Sequence, residues 1–167
     1  DQGVSRSRAL IFDTDGQLIS SAEKPVTRIL PHPGWVEQDP MELWATQAGV
    51  AAEALAAVGL EPYDIAAMGI TNQRETTLLW HRETGKPIYP AITWSDLRTR
   101  DACDALYRSG HAEWIRKKTG LLPTTFGCAF KIAWILNHVP NARRLATAGK
   151  LCFGTVDTWL VWNCTGR

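Results

Sequence analysis

Apolar and polar positions alternate along the chain with two different periods, and each change of period marks an element. Ala9-Leu10-Ile11-Phe12-Asp13 is a short apolar run that predicts a buried strand. The turn Thr14-Asp15-Gly16 follows, and Gln17 to Val26 predicts the second arm of a hairpin. Residues 29–38 hold Pro31, Pro33 and Gly34 and read as loop. Asp39-Pro40-Met41-Glu42 is a helix start: Asp39 can cap, Pro40 suits the first helical position, and Glu42 closes a capping box. Met41, Trp44, Ala48, Ala51, Leu55 and Val58 then recur at steps of three and four, which predicts an amphipathic helix with that stripe inward, ended by Gly59.

Further on, residues 65–70 (Ile65 to Ile70) form a short apolar run that predicts a strand buried on both faces. Thr76 to His81 predicts another, which Glu83-Thr84-Gly85-Lys86 turns back toward Ile88 to Ile92. Helical patterns follow over residues 95–109, stopped by Gly110, and 111–119, stopped by Gly120. Two more run from about Gly127 to His138, with Pro140 behind, and from Asn141 to Ala148. Leu151 to Phe153 predicts a strand, and Asp157 can cap a last helix through Trp162. The order β-β-α-β, extended by further strands and helices, predicts an α/β chain on a mixed sheet with flanking helices. In such sheets ligands collect beyond the carboxyl ends of strands, which directs attention to the residues after Ile70.

Composition narrows the partners. The chain has 167 residues, about one domain, with 45% hydrophobic and 21% charged positions, as in ordinary globular chains. Eighteen Lys+Arg against seventeen Asp+Glu leave a net charge of +1, so neither nucleic acid nor a membrane surface is expected as a partner held by bulk charge. No apolar run approaches the ~18 residues of a membrane-spanning helix, and the first eight residues carry no signal-peptide core. Cys103, Cys128, Cys152 and Cys164 form no C-x-x-C pair, which predicts reduced thiols in a cytoplasmic protein. The chain lacks an initiator Met and closes just after an apolar stretch, so a fragment is expected.

Three clusters can carry chemistry. Thr71-Asn72-Gln73-Arg74-Glu75-Thr76-Thr77 sets seven polar residues between two apolar runs. The guanidinium of Arg74 can donate to the oxygens of a hydroxylated ligand and the carboxylate of Glu75 can accept its hydroxyl protons, though a solvated loop accounts for the same residues. Asp1-Gln2-Gly3-Val4-Ser5-Arg6-Ser7-Arg8 leads into a strand: Gly3 permits a tight turn whose amides can face a phosphate, Ser5 and Ser7 can add donors, Arg8 can neutralise charge, and Asp1 can hold a divalent cation through water. A frayed terminus is the alternative there. Trp94, at a strand-to-helix junction, can lay its face on the C–H side of a polyol or pack in the core. No pair of the four histidines has metal-ligand spacing, and neither a P-loop nor a serine-hydrolase motif occurs.

At these residues the chain resembles the glycerol kinase branch of the FGGY carbohydrate kinases. The matching stretches are residues 33–40 (PGWVEQDP) with 44–47 (WATQ), 69–77 (GITNQRETT), 84–89 (TGKPIY), Ala91-Ile92 with Trp94, and 153–160 (FGTVDTWL), so that the resemblance spans essentially the whole chain. It implies the N-terminal lobe of an actin-like, hexokinase-like (ribonuclease H-like) ATPase, occupying residues 1–167, without that family's first strand or its C-terminal domain. It further implies transfer of the γ-phosphate of ATP, with Mg²⁺, to a terminal hydroxyl of glycerol, and self-association as a homo-oligomer. On the same resemblance Arg74 and Glu75 match the glycerol-binding pair and Trp94 the aromatic wall. Asp1, Gly3, Val4, Ser5, Arg6 and Arg8 fall on the first phosphate loop, with Asp1 near the metal.

This sequence also departs from that pattern. Val4, Ser5 and Arg6 stand where the family usually has two threonines and a serine, and Phe126 stands at the glycerol-contacting tyrosine. The stretch 131–138 (KIAWILNH) keeps the family pattern, but Cys128 ahead of it replaces a small hydroxyl or proline position. No Gly-Asp-Gln segment carrying the family's general base occurs, so the chain alone is expected to be inactive. The departures leave two alternatives open: a kinase of the same family for another polyol or a ketose, and a non-catalytic polyol-binding relative.

Overall fold

The computed structural model describes residues 1–166. Its elements run β1 (Arg6–Phe12), β2 (Leu18–Pro25), β3 (Glu37–Gln38), α1 (Pro40–Ala56), β4 (Leu78–His81), β5 (Ala91–Ile92), α2 (Arg100–Arg108), α3 (His111–Thr119), α4 (Cys128–His138), α5 (Ala142–Thr147), β6 (Leu151–Gly154) and α6 (Val156–Thr165), with a 3₁₀ turn at Pro62–Asp64. They fall into two compact units. One comprises Asp1–Arg28, Gln38–Gln73 and the chain from Val156 onward; the other comprises Ile29–Glu37 and Arg74–Thr155. No helix among the described residues is long and apolar enough to cross a membrane.

In the first unit β1 and β2 form the expected antiparallel hairpin, with Ala9 opposite Ala22. The hairpin is less buried than an apolar run suggests: Leu10, Phe12, Leu18 and Ile19 are exposed, and only alternate positions turn toward α1. Asp39 caps α1 by accepting from the Met41 amide at 2.8 Å. Glu42 does not close a capping box; its carboxylate accepts from the amide and hydroxyl of Thr27. The buried face of α1 is Pro40, Leu43, Val50 and Ala54, rotated from the stripe the spacing predicts. Alanines and other apolar residues occur around most of this helix, so the side that meets Ala9, Ile11 and Ala22 of the hairpin decides what is buried. Residues 65–70 form no strand: no ladder runs along them among the described residues, and Ile65 and Met68 are exposed. Helix α6 starts at Val156, so Asp157 lies within its first turn rather than at the cap, and accepts from Asn72 Nδ2. Trp159 anchors α6 to α1 by donating Nε1–H to Pro40 O at 2.8 Å.

In the second unit β4 pairs antiparallel with β6, and Thr77 pairs with Ile92. The strand expected over 88–92 shrinks to Ala91–Ile92, since Pro90 has no amide to offer a ladder. Helix α2 begins at Arg100, five residues after its expected start. Asp96 explains the delay, because its side chain accepts from the Arg98 amide and so favours a local turn over helix. The core joins Leu79, Ile92 and Ile135 with Ile88, Ile132, Leu136 and Leu151.

A buried ion network lies in this unit. Arg98 is fully buried and donates to Asp96 and Glu37, both also buried, at 2.8 Å each. Its guanidinium lies 3.9 Å from the ring centre of Trp35 and 4.6 Å from that of Trp134. Burial disfavours the guanidinium charge, and the hydrogen bonds it donates to Asp96 and Glu37 outweigh this and hold the pKa above its ordinary value. Tyr89 donates to Glu37 at 2.7 Å, and Asp96 also accepts from the Val36 amide at 2.6 Å. The network thereby ties residues 36–37 to the turn that follows Trp94.

Two stability predictions follow. Replacing Asp39 with Ala removes the α1 cap and is expected to cost about 1 kcal/mol in urea unfolding. Arg98→Met strands two buried carboxylates and is expected to cost roughly 3–5 kcal/mol; a loss near zero would mean that water reaches the network.

Candidate functional site

The end of the polar segment next to β4 is held by one backbone exchange. Thr77 N donates to Ile92 O at 2.9 Å and Ile92 N returns to Thr77 O at 3.0 Å. Glu75 lies two residues before Thr77 and Trp94 two residues after Ile92, each in the turn that flanks this isolated bridge. Trp94 in turn lies beside Phe126, with ring centres 5.9 Å apart and planes tilted by 60°. Both rings are 41% exposed, an uncommon surplus of aromatic surface at one place. Arg74 is exposed and precedes Glu75 directly. The second unit thus brings together Glu75, Trp94 and Phe126 with Arg74 adjacent in the chain: two flat apolar faces, one carboxylate and one guanidinium.

Glu75 has a left-handed backbone, φ 64°, which is costly for a side chain with a Cβ. Its surroundings over-determine that conformation. Its carboxylate Oε2 accepts the Cys128 amide at 2.9 Å, at the first turn of α4, where a helix has unsatisfied amides. Its backbone carbonyl accepts from Lys131 Nζ at 3.0 Å, from Thr77 Oγ1 at 3.1 Å and from the Cys128 thiol at 3.6 Å. Burial pushes the Cys128 thiol up to about 11, so it remains protonated and can donate. Lys131 is fully buried and also donates to Phe126 O at 2.5 Å. Burial pulls its ammonium below the ordinary lysine value, against the opposing pull of nearby negative charge.

Sequence reasoning passed over Lys131 as a site component. The usable signal was a lysine four residues before Ile135 on the buried face of an apolar helix, where a charge needs a built partner. Cys128 had been noted only as a departure, and its contacts with Glu75 were not foreseen.

The first eight residues lie in the first unit and are ordered. Asp1 and Arg8 exchange backbone hydrogen bonds at 2.8 Å, Gln2 bridges Ser7, and the Gly3 amide donates to Arg6 O at 3.0 Å. This is a hairpin turn over Gly3-Val4-Ser5-Arg6, and a Cβ on Gly3 would lie 3.2 Å from Arg6 O. The turn differs from the sequence reading in two respects. The Gly3 amide is engaged within the turn, and Ser7 is fully buried, its hydroxyl donating to Gln2 Oε1 at 2.8 Å and paired with Thr46. Arg6 and Arg8, on the opposite face of β1, both meet Glu23, and the Arg6 hydrogen bond holds the Glu23 carboxyl below its usual range. Three buried glutamines grip the turn from behind. Gln38 donates to Val4 O, Gln73 donates to Gly3 O and to Gln38 Oε1, and the Gln73 amide donates to Gln2 O.

The model of the FGGY family of carbohydrate kinases, N-terminal domain, matches residues 1–167. Over 165 residues the chain is 58% identical to a glycerol kinase of Paraburkholderia phymatum, covering 99% of this chain and 33% of the relative. A solved Plasmodium falciparum glycerol kinase with ADP superposes with a TM-score of 0.93 at 30% identity, over 98% of this chain and 33% of that one. A xylulose kinase from Lactobacillus acidophilus shares the fold, with a TM-score of 0.82 at 17% identity over 98% of this chain and 32% of its own. The chain therefore spans about a third of the length of the relatives it matches. Matched along its whole length by that family model, the chain belongs to the FGGY family of carbohydrate kinases and has the fold of their N-terminal lobe.

Proposed function

We propose that this chain is the N-terminal part of an ATP-dependent glycerol kinase, which transfers the γ-phosphate to a terminal hydroxyl of glycerol to give sn-glycerol 3-phosphate. The observation that carries this reading is the grouping of Glu75 and Phe126, whose carbonyls both accept from Lys131, with the Trp94 ring beside Phe126, in a chain 58% identical to a protein named glycerol kinase. Trp94 and Phe126 offer faces for the carbon chain of a small polyol. Glu75 accepts from its hydroxyls, and Arg74 donates to its oxygens. Phosphoryl transfer depends mainly on positioning and charge stabilisation, and these residues supply the positioning of the acceptor.

The hairpin turn is the proposed phosphate-facing element. Its tightness suits a glycine, because a Cβ would crowd Arg6 O, and Ser5, Arg6 and Arg8 add polar and cationic groups around it. Asp1 offers a single carboxylate, which suits Mg²⁺, an ion that keeps several waters and phosphate oxygens among its ligands. When bound, Mg²⁺ neutralises charge on the nucleotide phosphates. Val4 contributes no hydroxyl, and Arg6 is engaged by Glu23 in an exposed, solvent-screened pair that a phosphate would have to compete with. The general base implied by the resemblance is not among these residues, so the chain on its own is proposed to contact polyol without turning it over.

Phe126 favours a second reading, a kinase of the same family for another polyol or a ketose, because its ring lacks a hydroxyl to hold a particular substrate oxygen. The full-length protein should phosphorylate glycerol in preference to erythritol or xylulose, and Arg74→Ala should abolish most of that activity. Preference for xylulose, or no phosphorylation by a folded protein, would contradict the reading. Phe126→Tyr should lower the KM for glycerol by about two- to tenfold, as one added hydrogen bond of ~0.5–1.5 kcal/mol allows.

A further inference from the structure

Among the ionisable groups of the second unit, Lys131 has an unusual setting. It is fully buried, and the hydrogen bonds described for its ammonium go to two backbone carbonyls, those of Glu75 and Phe126. A buried ammonium is retained against a large desolvation cost when its hydrogen bonds hold something in place. Here the two carbonyls belong to residues on different stretches of chain, one at the polar segment before β4 and one in the loop before α4. Each carries a side chain placed at the proposed polyol contact: the Glu75 carboxylate and the Phe126 ring. Glu75 is the position whose backbone is left-handed, a conformation that persists only where neighbours enforce it.

We propose that Lys131 is a positioning residue for the polyol site. It clamps the Glu75 and Phe126 carbonyls together, which fixes the left-handed Glu75 with Oε2 on the Cys128 amide and so presents the other carboxylate oxygen toward the ligand side, next to the Trp94–Phe126 wall. A methionine at 131 keeps the length and apolar stem but loses both donors. A glutamine keeps an amide donor that can reach one carbonyl. The assignment of the site to a polyol rests on the function proposed above; the clamp itself does not, and the two are tested separately.

The test uses the full-length protein with Lys131→Met and Lys131→Gln, and reads two quantities. Hydrogen exchange at the Cys128 amide reports the clamp without any substrate, and it should accelerate roughly tenfold or more in the Met variant and less in the Gln variant. Steady-state kinetics with glycerol and ATP report the site: the glycerol KM should rise roughly tenfold in the Met variant, with the ATP KM within about twofold of the parent. Unchanged Cys128 protection in a folded Met variant overturns the clamp, and faster exchange with an unchanged glycerol KM overturns its role in the site. Equal rises of both KM values, or failure of both variants to fold, also overturn it, by making Lys131 a requirement of the fold. If the parent phosphorylates no glycerol, the proposed function falls while the exchange experiment still decides the clamp.

Discussion

The second unit depends on the pair of backbone hydrogen bonds between Thr77 and Ile92. They are ordinary in length, 2.9 and 3.0 Å, yet they fix the point from which the turns carrying Glu75 and Trp94 depart. The exchange is reinforced on both sides. Behind it, Leu79 and Ile92 pack against Ile135 of α4, and beyond its open end Lys131 and Cys128 hold Glu75. Position in this site therefore rests on the backbone pairing at Thr77 together with the contacts that hold Glu75.

Charge is handled differently at two places where the second unit buries it. Arg98 sits between two carboxylates and two aromatic faces, so its charge is more than matched by opposite charge. Lys131 rests on carbonyl dipoles, a weaker counterpart, which makes its ammonium easier to disturb and more informative to mutate. The first unit uses neutral groups instead: Gln2, Gln38 and Gln73 satisfy the carbonyls of the Gly3 turn without introducing charge beside it. A neutral support leaves the local field to Arg6, Arg8 and Asp1.

Much of this was legible in the sequence where local chemistry decides structure. Gly110 and Gly120 bound α3 at both ends with left-handed backbones, and its limits, His111–Thr119, are those the pattern predicts. Asp39 caps α1 as its type and place require. The reading failed where tertiary context decides. The α1 stripe was misread because its apolar residues do not define one face, and residues 65–70 were read as strand from apolarity alone. Ser7 looked like a phosphate donor until the alternation of β1 turned it inward toward Gln2 and Thr46. Arg74, Glu75 and Trp94 were named from residue type and resemblance, but the contacts that hold Glu75 near Phe126, and Trp94 beside it, join distant segments that no motif encodes. Lys131 was visible only as part of a matching stretch, because its function as a donor to two carbonyls depends on chain segments fifty-six and five residues away.

The central claim is that Glu75, Trp94 and Phe126 form one polyol-binding face. The most direct measurement is a glycerol titration of the isotope-labelled full-length protein, following the Trp94 indole N–H and the Cys128 amide by NMR. Saturable shifts at both resonances with one common dissociation constant, while the Trp159 indole stays fixed, are the predicted result. Shifts that grow linearly with glycerol and affect Trp159 as much as Trp94 would contradict the account.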